Sequence, residues 1–115
     1  MDDAAMVRLL VRQMLETLGF VVVDEADPAI AIAIALDAIP AFDLVVSDVV
    51  MPGMTGGEMV QRIHEAQPGL PVVFMSAYAP EKAYFEHGLP PSAPYLKKPF
   101  TREGMAEKVN LALGR

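Results

Sequence analysis

The run Leu44-Val45-Val46-Ser47 is short, apolar and β-branched, and it stops at a carboxylate, Asp48. Such a run reads as a buried strand. The residues after it, Val49-Val50-Met51-Pro52-Gly53-Met54-Thr55-Gly56-Gly57, carry the Pro and Gly of a loop. Asp48 therefore sits at the carboxyl end of a strand, where open α/β sheets place their ligands. A carboxylate held there suits a nucleophile or a metal ligand and is a poor packing residue.

The rest of the chain fits the same sheet. Residues 4–18 place Met6, Leu9, Leu10, Met14 and Leu18 at helical spacing before Gly19. Phe20 to Glu25 reads as a strand. Asp27-Pro28 is an N-cap followed by proline at the first helical position. From Ala29 to Ile39, Ile30, Ile32 and Ile34 alternate with Ala, which is a strand period. The cap, the alanines and the length favour a helix, with isoleucines pointing around more than one face and some apolar surface left for a partner.

Thr55-Gly56-Gly57-Glu58 fits a capping box, opening a helix with Met59, Val60 and Ile63 inward. Pro71 to Ser76 and Pro94 to Lys97 are further strands. Three prolines and a glycine in residues 79–93 leave room only for a short helix near 80–87. Thr101 caps a last helix with Met105, Val109, Ala112 and Leu113 on one face. Strands alternating with helices imply a mostly parallel sheet with right-handed crossovers.

Composition narrows the chemistry. A chain of 115 residues, over half of them apolar, supports a single domain with one core. Without cysteine it has neither a disulfide nor a thiolate zinc site. The net charge of −6 argues against a nucleic-acid surface. No apolar run reaches the ~20 residues of a membrane span, and Asp2 and Asp3 stand where a signal peptide is basic. A cytoplasmic location is expected.

Four polar features fall at expected strand ends: Asp2-Asp3, Asp48, Ser76 and Lys98. In a doubly wound sheet these ends share one edge, so residues distant in sequence converge. Clustered carboxylates repel unless a cation joins them, and an oxygen-only set suits Mg²⁺. Lys98 and Ser76 could each meet an oxygen of a phosphoryl group in transfer to Asp48. Read singly, each residue has a plainer account. Asp2-Asp3 would be a solvated terminus or part of a helix cap, Asp48 a cap, Ser76 a turn residue and Lys98 an exposed loop lysine. His64 and His87 read as solvated.

Together these residues resemble the receiver domain of bacterial two-component signalling, over essentially the whole chain. The likeness lies in Asp2-Asp3 before a helix, Asp48 with Met51-Pro52-Gly53, Ser76-Ala77, and Lys98-Pro99-Phe100. It implies a flavodoxin-like doubly wound fold with strand order 2-1-3-4-5. It implies that Asp48 accepts a phosphoryl group from a histidine kinase or phosphotransfer domain. Asp3 would bind Mg²⁺ directly, Asp2 largely through water, and Val50 through its backbone carbonyl. Ser76 and Lys98 would contact the phosphoryl group, and the vacated space would let Tyr95, the switch aromatic, turn inward. Such a protein is no enzyme in the ordinary sense, although it assists its own phosphorylation. The prolines of 79–93 and Lys98-Pro99-Phe100-Thr101 look most like receivers of hybrid histidine kinases.

Two departures stand out. The family places its central strand just before the acidic pair, and here only Met1 precedes Asp2. A fragment of a longer receiver, a strand exchanged within a homodimer, or a rearranged sheet would each account for this. All three bear on metal binding by Asp2 and Asp3, because an unanchored terminus is mobile. Second, Val50 and Tyr78 occupy the positions that place the hydrolytic water in the family. Val50 has no polar atom, which implies a slowly hydrolysed phosphoaspartate. Two other readings compete: a degenerate receiver that only binds protein through the Ala/Ile-rich helix, and a Mg²⁺-dependent aspartyl phosphohydrolase. The latter usually needs a second acid where Val50 stands.

Overall fold

A computed structural model describes residues 5–38, 41–51, 53–77, 89 and 93–114. Among the described residues, four helices and five short strands follow in the order α1 (Ala5–Thr17), α2 (Pro28–Asp37), β1 (Val45–Asp48), β2 (Val50–Met51), β3 (Met54–Thr55), α3 (Gly56–Ala66), β4 (Val72–Ser76), β5 (Tyr95–Lys97) and α4 (Arg102–Ala112). The expected helix near 80–87 lies outside the described residues, as do Tyr78 and His87.

The main sheet is parallel, in the order β1-β4-β5. Every residue of β4 is buried. Its side chains alternate between two apolar clusters: Val72 and Phe74 join one, Val73 and Met75 the other. A strand covered on both faces needs apolar residues at successive positions, which is why this run carries no polar alternation. Met59, Val60 and Ile63 of α3 and Ala35 of α2 complete the first cluster. Val11, Met14 and Leu15 of α1 complete the second with Met105 and Val109 of α4.

Local signals set the helix starts. Asp27 accepts hydrogen bonds from the backbone N–H of Ala29 at 2.8 Å and of Ile30 at 3.4 Å, with Pro28 in the first turn. The cap thus prevails over the strand-like Ile/Ala alternation. Ile32 packs against the core while Ile30 is exposed, as expected for isoleucines spread around a helix. The capping box is present: Thr55 Oγ1 accepts from Glu58 N at 3.1 Å and Glu58 Oε1 accepts from Thr55 N at 3.5 Å.

Three expectations need correction. In α1 the inward stripe is Val7, Val11, Met14 and Leu15, whereas Met6, Leu9, Leu10 and Leu18 are exposed. Apolar residues stand on more than one face of that helix, so spacing alone leaves the inward stripe open and the packing partner selects it. The Pro-Gly stretch after Asp48 is not all loop. It holds a two-stranded antiparallel ribbon pairing Val50 with Thr55 and Met51 with Met54, turned through Gly53 at a φ of +79°. Finally, residues 20–25 are not a hydrogen-bonded strand. Their ties run to α1 instead: Arg12 Nη1 donates to Asp24 Oδ2 at 2.6 Å, and Arg8 Nε lies 3.7 Å from Asp24 Oδ1. The hydrogen bond to Asp24, aided by Glu16, raises the Arg12 pKa above its usual value. Among the described residues, no strand lies between this segment and β1.

Candidate functional site

Three parallel strands end side by side, and each ends on a residue able to handle an anionic group. Asp48 closes β1, Ser76 closes β4, and Lys98 follows β5 directly. Register makes this convergence unavoidable: Asp48 lies opposite Met75, and Ser76 opposite Lys97. Lys98 N donates to Ser76 O at 2.7 Å, and Val49 N to Met75 O at 3.0 Å, so the strand tips are fastened to one another.

The Asp48 carboxylate is held at both oxygens. Oδ1 accepts from Val49 N at 2.8 Å, and Oδ2 accepts from Lys98 Nζ at 3.2 Å. Asp48 as a whole is 9% exposed and Ser76 is 2% exposed. A carboxylate so far withdrawn from water requires a cation and hydrogen-bond donors, and Lys98 is the cation that the sheet supplies. The Lys98–Pro99 peptide is cis.

Val50 opens the ribbon two residues beyond Asp48, with its side chain outward at 39% exposure. A carboxylate and a backbone carbonyl are hard oxygen donors, the kind that Mg²⁺ takes while keeping several waters. The donor chemistry at Asp48 and Val50 therefore fits that ion. Asp2 and Asp3 lie outside the described residues. Among the described residues no cluster of three or more His, Cys, Asp or Glu could hold a metal.

Tyr95 is already buried, 8% exposed, within the cluster that contains Val49, Met51 and Phe74. His64 is not simply solvated: its Nε2 lies 2.8 Å from Leu70 O, linking the end of α3 to the approach to β4.

Two residues with structural authority over Asp48 went unread in the sequence. Ser47 is fully buried, and its Oγ donates to Asp48 O at 2.8 Å. Gly56 N donates to Val49 O at 2.7 Å, bringing the start of α3 hard against β1. A Cβ at Gly56 would collide with Asp48 O and lie 2.9 Å from Ser47 Oγ, so only glycine fits. Its signal was visible: a glycine in a first helical turn costs helix stability and calls for a packing reason.

The family profile of the response regulator receiver domain matches residues 1–110. The chain belongs to the response regulator receiver family. Its relatives include the response regulator protein FleR of Pseudomonas aeruginosa, 39% identical over 90 residues. That match covers 78% of this receiver but only 18% of FleR. The chemotaxis protein CheY-3 of Vibrio cholerae is 33% identical over 111 residues, covering 95% of this chain and 85% of its own. The crystallised chemotaxis protein CheY4 of Vibrio cholerae is 32% identical and superposes with a TM-score of 0.82 over 97% of this chain and 93% of that one. The CheY-like, flavodoxin-type α/β fold expected from the sequence is thus the fold of this receiver. Among its described residues, no helix is long and apolar enough to cross a membrane.

Proposed function

We propose that this receiver takes a phosphoryl group onto Asp48 from a histidine kinase or phosphotransfer domain, and that the added charge alters what the domain binds. The observation that supports this most is the Lys98 Nζ to Asp48 Oδ2 contact at 3.2 Å, made across the ends of three strands. An acid needed only for a turn would not recruit a lysine fifty residues away into a largely buried pair.

In the transfer, a carboxylate oxygen of Asp48 forms a bond to phosphorus. The bond from phosphorus to the donor's leaving atom breaks, and the electron pair stays with the donor. The bond from Val49 N–H restrains rotation of the carboxylate, which favours attack along one line. Lys98 stands beside Oδ2 and meets negative charge as it builds on the phosphoryl oxygens. Ser76, at the end of the neighbouring strand, is the proposed hydroxyl partner of one of those oxygens. Mg²⁺, when bound through Asp48, the Val50 carbonyl, Asp3 and, largely through water, Asp2, would neutralise part of that charge.

The phosphoaspartate carries nearly two negative charges at neutral pH. Lys98 follows that charge, and β5 moves with it. Tyr95 lies in β5, and the space vacated beside Asp48 would let its ring turn inward. The apolar, part-exposed side chain of Val50 offers nothing to orient a hydrolytic water, so the phosphorylated state should be long-lived for its class. The proline-rich stretch and the Lys98-Pro99-Phe100-Thr101 ending support a place beside a hybrid kinase, in the cytoplasm.

The test is direct. Treat the folded protein with acetyl phosphate and Mg²⁺ and measure intact mass. A gain of one phosphoryl group, absent in Asp48→Asn, is the expected result. No gain on a folded sample, or a gain mapped to another residue, would overturn the proposal. Phosphate release over seconds would remove the claim of a long lifetime alone.

A further inference from the structure

We infer that Ser47 is a positioning residue for phosphoryl transfer: through the peptide unit between Asp48 and Val49, it sets the direction in which the Asp48 carboxylate faces an incoming phosphorus. The inference rests on the phosphoacceptor reading of Asp48 and adds to it a side chain that takes part in no bond that forms or breaks.

Ser47 interrupts an apolar strand. Val45 and Val49, two residues to either side, pack in the cluster that contains α3, and side chains two apart share a face of a strand. Ser47 therefore points toward α3, where a Cβ at Gly56 would come within 2.9 Å of its Oγ. So little room calls for a small residue, and alanine would fill it with no polar atom to withdraw from water. A fully buried hydroxyl costs free energy unless it is hydrogen-bonded. The chain carries the hydroxyl all the same, and it donates to Asp48 O at 2.8 Å. That bond is what alanine would lack.

The bond matters because of the unit it holds. A peptide unit is planar and moves as one plate. This plate carries Asp48 O at one end and the Val49 N–H at the other. The N–H has two acceptors, Met75 O at 3.0 Å in the sheet and Asp48 Oδ1 at 2.8 Å. A tilt of the plate moves the N–H toward one acceptor at the expense of the other. Ser47 pins the carbonyl end and so holds the share of the N–H that reaches the carboxylate. The next carbonyl, Val49 O, is fastened from α3 by Gly56 N at 2.7 Å, which steadies the unit that follows.

The second restraint on the carboxylate is softer. Lys98 meets Oδ2 at 3.2 Å from the end of a long side chain, which can follow the acid if it turns. The bond from the backbone to Oδ1 is therefore the one that fixes the line of attack. Loosening it should slow the transfer and leave binding of the phosphoryl donor as it was.

The test compares wild type, Ser47→Ala and Val46→Ala at a temperature where circular dichroism shows each to be folded. Val46 is the buried neighbour in the opposite cluster, so its truncation costs stability on the face away from α3. Label each protein with acetyl phosphate and Mg²⁺ over a range of donor concentrations and follow intact mass. Ser47→Ala should lower the maximal rate of labelling at Asp48 at least about fivefold, with the half-saturating donor concentration unchanged. Val46→Ala should keep the wild-type rate. In NMR spectra recorded without donor, the Val49 amide proton should move upfield in Ser47→Ala, as its share in the bond to the carboxylate falls. A smaller loss of rate, an unmoved Val49 proton, or as large a loss in Val46→Ala would overturn the inference while the phosphoacceptor reading stands. A wild type that gains no phosphoryl group at Asp48 would overturn that reading, and this role for Ser47 with it.

Discussion

Val72-Val73-Phe74-Met75 and Phe20-Val21-Val22-Val23 are near twins in composition, yet they have opposite fates. The first is β4, hydrogen-bonded on both sides and buried throughout. The second is extended, tethered to α1 by the Arg12–Asp24 bond, and leaves Val21 almost wholly in water. Apolar, β-branched residues permit a strand, but a neighbour on each edge makes one. Strand preference is a matter of fitting a covered, pleated surface more than a property of the backbone.

Substitutions can break this contrast. The largest effect is expected at Phe74, whose side chain is fully buried in the middle of β4. Phe74→Ala should cost about 3–5 kcal/mol, because it leaves a cavity that the sheet cannot close; a denaturant midpoint shift at unchanged m-value checks it. Next is Gly56→Ala. Its Cβ would meet the backbone oxygen of Asp48, so β1 or α3 must move, at about 1–3 kcal/mol. It should also slow labelling of Asp48 by acetyl phosphate under conditions where the variant remains folded, which separates misplacement of Asp48 from lost stability.

Thr55→Ala removes half of a capping box and should cost about 1 kcal/mol by thermal unfolding, with phosphorylation intact. Val21→Ala is the smallest, within about 0.5 kcal/mol, because a residue already in solvent has little to lose. If Val21→Ala cost as much as Phe74→Ala, the two runs would be equally buried in solution and the contrast would be wrong.

The same contrast explains what could be read from the chain in advance. β1, β4, β5 and the starts of α2 and α3 were legible because their signals are local: an unbroken apolar run, Asp27-Pro28, Thr55 with Glu58. Asp48, Ser76 and Lys98 were legible as a group because parallel strands put their carboxyl ends on one edge. The phase of α1 was not, since Leu9 and Leu10 suit a helix as well as Val11 and Leu15 do, and the sheet decides. Residues 20–25 misled because hydrogen bonding along an edge is settled by another part of the molecule. Ser47 and Gly56 were passed over for a related reason. Their importance lies in a near-contact between β1 and α3 that neither residue announces alone.

Lys98 belongs to two strand tips at once. Its backbone N–H is bonded to the end of β4 and its ammonium to the acid at the end of β1. A tug on the side chain is therefore felt by the main chain one residue's length away, with no intervening relay of packed groups. News of a change at the acid should reach the sheet before any helix has shifted, and removing the ammonium would silence the messenger while leaving the wiring in place.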